Sequence, residues 1–149
     1  MTAGEGLWLH LTRVLPARRD EVWRAMTDPA ILPRWFGPKG FSSPGVEFEP
    51  RVGSRFRIAL QPPEGEAFRL HGEFREVEAG SRLSYSFLWD PPDPDDRETV
   101  VTLFLEERGQ RTEVTFTQGE FATPDRLVLH RDGWTDSFDR LEGLLVSAQ

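Results

Sequence analysis

The sequence contains no cysteine. That absence excludes disulfides, cysteine–zinc sites, iron–sulfur clusters and a thiol nucleophile, and it fits a reducing compartment. Tyrosine occurs once, as Tyr85, and histidine three times, as His10, His71 and His130. The histidines lack the spacing of a helical zinc motif, so no metal site is expected. Basic side chains are also short: 18 Lys and Arg stand against 25 Asp and Glu, a net charge of −7. A nucleic-acid or anionic-membrane partner wants a basic face, so neither is expected. No apolar run approaches the roughly 18–20 residues of a membrane span, and Met1–Gly6 is too polar to open a signal peptide. A glycine-rich phosphate loop and a G-x-S-x-G elbow are both missing, so no cofactor and no serine-based hydrolysis are expected. These absences point to a soluble, cytoplasmic chain.

What is present is one domain's worth of sequence. A chain of 149 residues can bury roughly 68–70% of its unfolded surface, enough for a core without metals or disulfides. Residues 1–149 carry no linker or internal repeat, so a single domain is expected. The longest patterned run is Thr123–Ser147. Thr123-Pro124 is a cap-plus-proline helix start. Leu127, Trp134, Phe138, Leu141 and Leu145 follow at steps that place them on one helix face. Arg126, Asp132, Asp136, Asp139, Arg140 and Glu142 are expected on the opposite, solvated face. Gly133 interrupts this helix at a cost of about 1 kcal/mol relative to alanine, tolerable where another backbone or a ligand comes close.

Upstream, Leu7–Leu15 alternates as a strand closed by Pro16. Arg18–Thr27 has helical spacing through Val22, Trp23 and Met26. Asp28-Pro29 starts a second short helix, expected to last one turn before Pro33 breaks it. From Val46 to Gln118 the pattern is strand and turn. Apolar residues alternate in Gly53–Leu60, Phe68–Val77 and Arg82–Trp89, and a last hairpin joins Thr99–Glu107 to Thr112–Gln118. Arg55, Arg57, Arg69, His71, Glu73 and Arg75 are expected as a solvated cross-strand ladder. Asp90–Glu98 lacks the glycine and distal glutamate of a calcium loop and reads as a solvated connection beside a cavity mouth.

Strand, two short helices, six further strands and one long helix make an α+β pattern, with an antiparallel meander receiving the helix. A bent sheet under such a helix encloses space. Five Trp and eleven Phe supply the aromatic bulk to line it. The residues expected to line that cavity are Trp35, Phe56, Phe68, Tyr85, Phe87, His130, Trp134 and Phe138.

Val22-Trp23-Arg24-Ala25-Met26-Thr27-Asp28-Pro29, Trp35-Phe36-Gly37-Pro38 and Gly133-Trp134 with Phe138 and Leu141 resemble one family. It is the bacterial branch of the heat-shock-protein-90 ATPase activator homologues, within the START/SRPBCC (birch-pollen-allergen-like) superfamily. The resemblance spans nearly the whole chain and implies the helix-grip fold. Pro33 stands where relatives keep a helix former, and Gln118 where many carry a histidine. The leading expectation is a binding module for a small hydrophobic or amphipathic molecule. A cyclase- or isomerase-like enzyme using His130 with Tyr85 or an inward arginine is the alternative. A co-chaperone-like contact is implied by the family name alone, and an exposed apolar second sheet face would point to a homodimer.

Overall fold

Seven strands form one antiparallel sheet in the computed structural model, which describes residues 6–148. Of the polar start Met1–Gly6, expected not to open a signal peptide, residues 1–5 lie outside the described residues. The chain runs through β1 (Leu9–Leu15), α1 (Arg19–Thr27), a 3₁₀ turn (Leu32–Arg34), β2 (Val46–Glu47) and β3 (Arg55–Leu60). It continues through β4 (Phe68–Glu78), β5 (Arg82–Asp90), β6 (Thr99–Arg108), β7 (Arg111–Gly119) and α2 (Pro124–Ser147). The spatial order β1-β7-β6-β5-β4-β3-β2 brings the first strand beside the last and leaves β2 on the far edge. This is the expected α+β helix-grip fold, a curved sheet with its long helix at the C-terminal end of the chain.

Local chemistry explains the element ends. The Thr123 hydroxyl accepts the Arg126 backbone N–H at 3.1 Å and so caps α2, satisfying one of the donors that a helix start leaves open. The Asp28 carboxylate accepts the Ala30 N–H at 2.8 Å. Pro33 holds the expected second helix to three residues of 3₁₀ turn. The Trp35 indole then donates to the Ala25 carbonyl at 2.8 Å and locks this turn back onto α1.

The strand faces follow the alternation. Phe56, Ile58 and Leu60 of β3 and Leu70 and Phe74 of β4 are buried, while Arg55, Arg57, Arg69, Glu73 and Arg75 face solvent. Arg55 pairs in register with Glu73 and Arg57 with half-buried His71, so the charged ladder is on the outer face. A register shift between Phe74 and Glu76 adds a bulge to β4, the device that bends a strand. Gly72 has a related role: a Cβ there would collide with the Ser86 carbonyl of β5 and the Phe56 ring. In β5 burial is continuous from Leu83 to Phe87. The Ser84 hydroxyl shares a 3.1 Å bond with Thr102, and the Ser86 hydroxyl accepts the Glu73 N–H at 2.9 Å.

Candidate functional site

The apolar face of α2 divides along its length. Phe138, Leu141 and Leu145 are buried in the core, whereas Trp134 and His130, one and two turns nearer the N-terminus, border a cavity of about 540 Å³. Its floor comes from β3, β4 and β5 through Leu60, Phe68, Leu70, Phe87 and Trp89, and the Phe36–Phe41 loop supplies another wall. Of the eight residues expected to line it, Phe68, Phe87, His130 and Trp134 do.

The other four sit in packed aromatic clusters. Trp35 stacks on Phe138, with ring centroids 6.5 Å apart. Phe56 and Tyr85 contact each other at 5.0 Å and both meet Phe48. Burial pushes the Tyr85 hydroxyl's pKa upward, so it stays protonated. The extra lining residues carry weaker signals. Trp89 follows Phe87 by two, and Leu60 and Leu70 continue the same strand faces. Phe36 and Phe41 come from a loop with no periodicity to read.

Polar side chains hold the cavity's aromatic walls. The Trp89 indole N–H donates to His130 Nε2 at 3.1 Å, which places the proton of the neutral imidazole on Nδ1. Burial, aided by the nearby Arg126 charge, lowers the His130 pKa to about 4. The imidazole is therefore neutral near pH 7, with its Nε2 lone pair already engaged. Gln118 is fully buried; its amide accepts the Trp134 indole N–H at 2.8 Å and donates to the Thr99 hydroxyl at 2.9 Å. Gln118 thus orients one of the two tryptophan rings in the wall. Gln118→Leu strands the Trp134 indole N–H and leaves the Thr99 hydroxyl only its 3.5 Å bond to the Phe87 carbonyl, and a buried unsatisfied polar group costs roughly 1–3 kcal/mol. We predict a loss of about 2 kcal/mol by urea unfolding, with an altered Trp134 emission spectrum; unchanged stability and emission would remove Gln118 from this role.

The expected solvent side of α2 is where the structure differs most from the sequence reading. Arg126 is bound by three carboxylates of the β5–β6 connection: Asp93, Asp95 at 3.0 Å and Asp96 at 3.3 Å. The guanidinium holds the Asp95 carboxyl below its ordinary pKa. The acidic connection is thus pinned to the first turn of α2 beside the cavity instead of standing free in solvent. Arg140 donates to the carbonyls of Phe36, Gly37 and Pro38 at 3.2, 3.0 and 3.3 Å. Gly37, at φ +107°, donates its N–H to the Ser137 hydroxyl at 2.9 Å. That hydroxyl donates in turn to the Gly133 carbonyl at 2.9 Å. The Lys39 N–H is accepted by Asp136 at 3.2 Å. One side of α2 therefore fastens the Trp-Phe-Gly-Pro loop. Helical periodicity assigned these charges to water because their partners lie about a hundred residues away.

Among the described residues, no group of three or more His, Asp or Glu is placed to hold a metal ion, and no helix is long and apolar enough to cross a membrane. A curved antiparallel sheet, a C-terminal helix and an aromatic cavity beside them define a helix-grip binding module. The chain belongs to the family of Activator of Hsp90 ATPase homolog 1-like proteins, whose family model matches residues 16–146, within the SRPBCC/START superfamily. Among solved structures it is similar to protein NE0264 from Nitrosomonas europaea, with 30% identity and a TM-score of 0.81 over 99% of this chain and 98% of that one. It is also similar to protein CV1439 from Chromobacterium violaceum, with 26% identity and a TM-score of 0.83 over 93% and 96%. The AHSA1 protein from Silicibacter pomeroyi, at 23% identity, shares the fold with a TM-score of 0.84 over 95% and 99%. A comparison with curated proteins finds no match.

Proposed function

We propose that this protein binds a small hydrophobic or amphipathic molecule in the cavity between β3–β5 and the first half of α2. The observation that carries this is the cavity itself, about 540 Å³ walled by Phe36, Phe68, Phe87, Trp89 and Trp134. Ligand pockets fall roughly between 300 and 1,000 Å³ and are lined mainly by apolar and aromatic side chains. The bond from Trp89 to His130 favours binding over acid–base turnover, since the lone pair a general base would use is occupied and its pKa is depressed. Tyr85, the partner considered for His130 in a catalytic reading, stands in the Phe48 cluster outside the cavity lining.

Gly133 gives a direct test. It lines the cavity, and a Cβ there would meet only Pro38 Cγ, at an ordinary 3.9 Å. Gly133→Leu should therefore fit the helix, improve its propensity by up to about 0.8 kcal/mol, and fill the mouth. The neutral dye Nile red is expected to bind the unaltered protein one to one and the variant at least about tenfold more weakly, a change of about 1.4 kcal/mol. The variant's melting temperature should be equal or higher. Failure of the dye to bind the unaltered protein, or equal binding to a folded variant, would overturn the proposal.

A further inference from the structure

The rim of the cavity differs in chemistry from its walls. Five lining residues are aspartates and two are arginines. Arg126 is already matched by Asp93, Asp95 and Asp96. With that cluster set aside, and with the exposed Arg69 and Asp90 opposite each other in register on β4 and β5, Asp132 and Asp136 remain without a basic counterpart in the lining. The Asp132 carboxylate makes no hydrogen bond or ion pair among the described residues, and the Asp136 carboxylate accepts only the Lys39 backbone N–H. These two lie four residues apart on α2, the spacing at which like charges repel. Arg140 senses the Asp136 charge, but its guanidinium protons are directed at the loop carbonyls. Half-buried Phe41, Phe68 and Trp89 line the same cavity, and aromatic faces attract cations.

The interior adds a second, independent feature. His130 is 7% exposed and lines the cavity. Its one hydrogen bond is at Nε2, so the Nδ1–H has no acceptor among the described residues. A donor of this kind suits a ligand carrying an ether, hydroxyl or carbonyl oxygen on an otherwise apolar body.

We infer that the cavity takes a cationic amphiphile, an aromatic or alicyclic body with one oxygen acceptor and an ammonium head held at the rim by Asp132 and Asp136. The inference rests on the reading of the cavity as a binding site. Carboxylate amphiphiles such as fatty acids meet the wrong sign of charge there. The net charge of −7 adds long-range attraction for a cation and repulsion for an anion.

Three probes of matched shape test it: 2-(1-naphthyloxy)ethylammonium, 2-(1-naphthyloxy)ethanol and 1-naphthyloxyacetate, titrated calorimetrically at pH 7. The ammonium probe is expected to bind at least about tenfold tighter than the alcohol, and the carboxylate more weakly than either. The ammonium-to-alcohol ratio should shrink in 0.5 M salt, where screening acts within about 3–5 Å. It should fall below about threefold in the double variant Asp132→Asn, Asp136→Asn. Asparagine keeps an acceptor for the Lys39 N–H. Equal binding of alcohol and ammonium probes, or tightest binding of the carboxylate, overturns the cationic preference and leaves cavity binding in place. Binding of none of the three overturns both.

Discussion

Replacing Arg140 by methionine is expected to lower the unfolding free energy by about 3 kcal/mol and to weaken Nile red binding at the cavity. Methionine keeps much of the apolar stem, so the loss measures the guanidinium. That group donates to three consecutive loop carbonyls, of Phe36, Gly37 and Pro38, and Phe36 and Gly37 are buried. A hydrogen bond from a charged donor contributes roughly 1.5–3 kcal/mol, and carbonyls left without a donor add their desolvation cost. The three bonds share one nitrogen, so their contributions do not add in full. Burial lowers the Arg140 pKa, with Asp136 opposing, and a guanidinium remains charged wherever the fold survives. The binding effect follows from position: Phe36, Gly37 and Pro38 all line the cavity. Urea unfolding and a dye titration on the same variant would check both parts. A loss below about 1 kcal/mol with unchanged dye affinity would show that the loop is held by Ser137 and packing alone.

A second large effect is expected from acid. The His130 pKa is about 4 in the folded protein and about 6.5 in an unfolded chain. Between these values the unfolded state takes up a proton that the folded state refuses, so stability falls as pH falls. The contribution is fully present above pH 6.5, declines by up to about 1.4 kcal/mol per pH unit, and is lost by pH 4, about 3 kcal/mol in all. The physical causes are burial and the Arg126 guanidinium; Asp93, Asp95 and Asp96 face that guanidinium from the β5–β6 connection. Asp95, whose pKa is depressed, adds its own loss only on acidification below the ordinary carboxylate range of about 4. Denaturation curves between pH 7.5 and 5 therefore isolate the histidine. His130→Gln, which keeps an acceptor for the Trp89 indole, should flatten the slope in that window. A flat profile in the unaltered protein, or an unchanged slope in the variant, would contradict the assignment.

The two effects act at different depths of one site. Arg140 governs whether the loop wall is in place, while His130 and Gln118 govern how the two tryptophans in the lining are oriented. Trp89 is tied to α2 through His130, and Trp134 is tied to β7 through Gln118. Both indole donors are thereby used inside the protein, which leaves mainly ring faces and edges for a ligand.

The sequence by itself determined the elements. The Thr123-Pro124 start and the apolar heptad spacing place α2 within a residue of its observed Pro124–Ser147 span. Two-residue alternation and short turns place the six later strands in order, because these signals are local and survive without knowledge of the fold. The polarity of the outer ladder was legible for the same reason. Only the tertiary structure decided which aromatic residues meet empty space. Phe56, Tyr85 and Phe87 have the same inward pattern, yet the first two pack around Phe48 while Phe87 borders the cavity. The difference depends on where β5 lies relative to α2 and the Phe36–Phe41 loop, a distance no periodicity encodes. The roles of Arg126, Arg140, Asp136 and Gln118 were hidden likewise. Charge on a helix face normally means water, but here the competing partners are a loop 100 residues away and an acidic connection about 30 away. Their bonds exist only once the sheet has closed against α2.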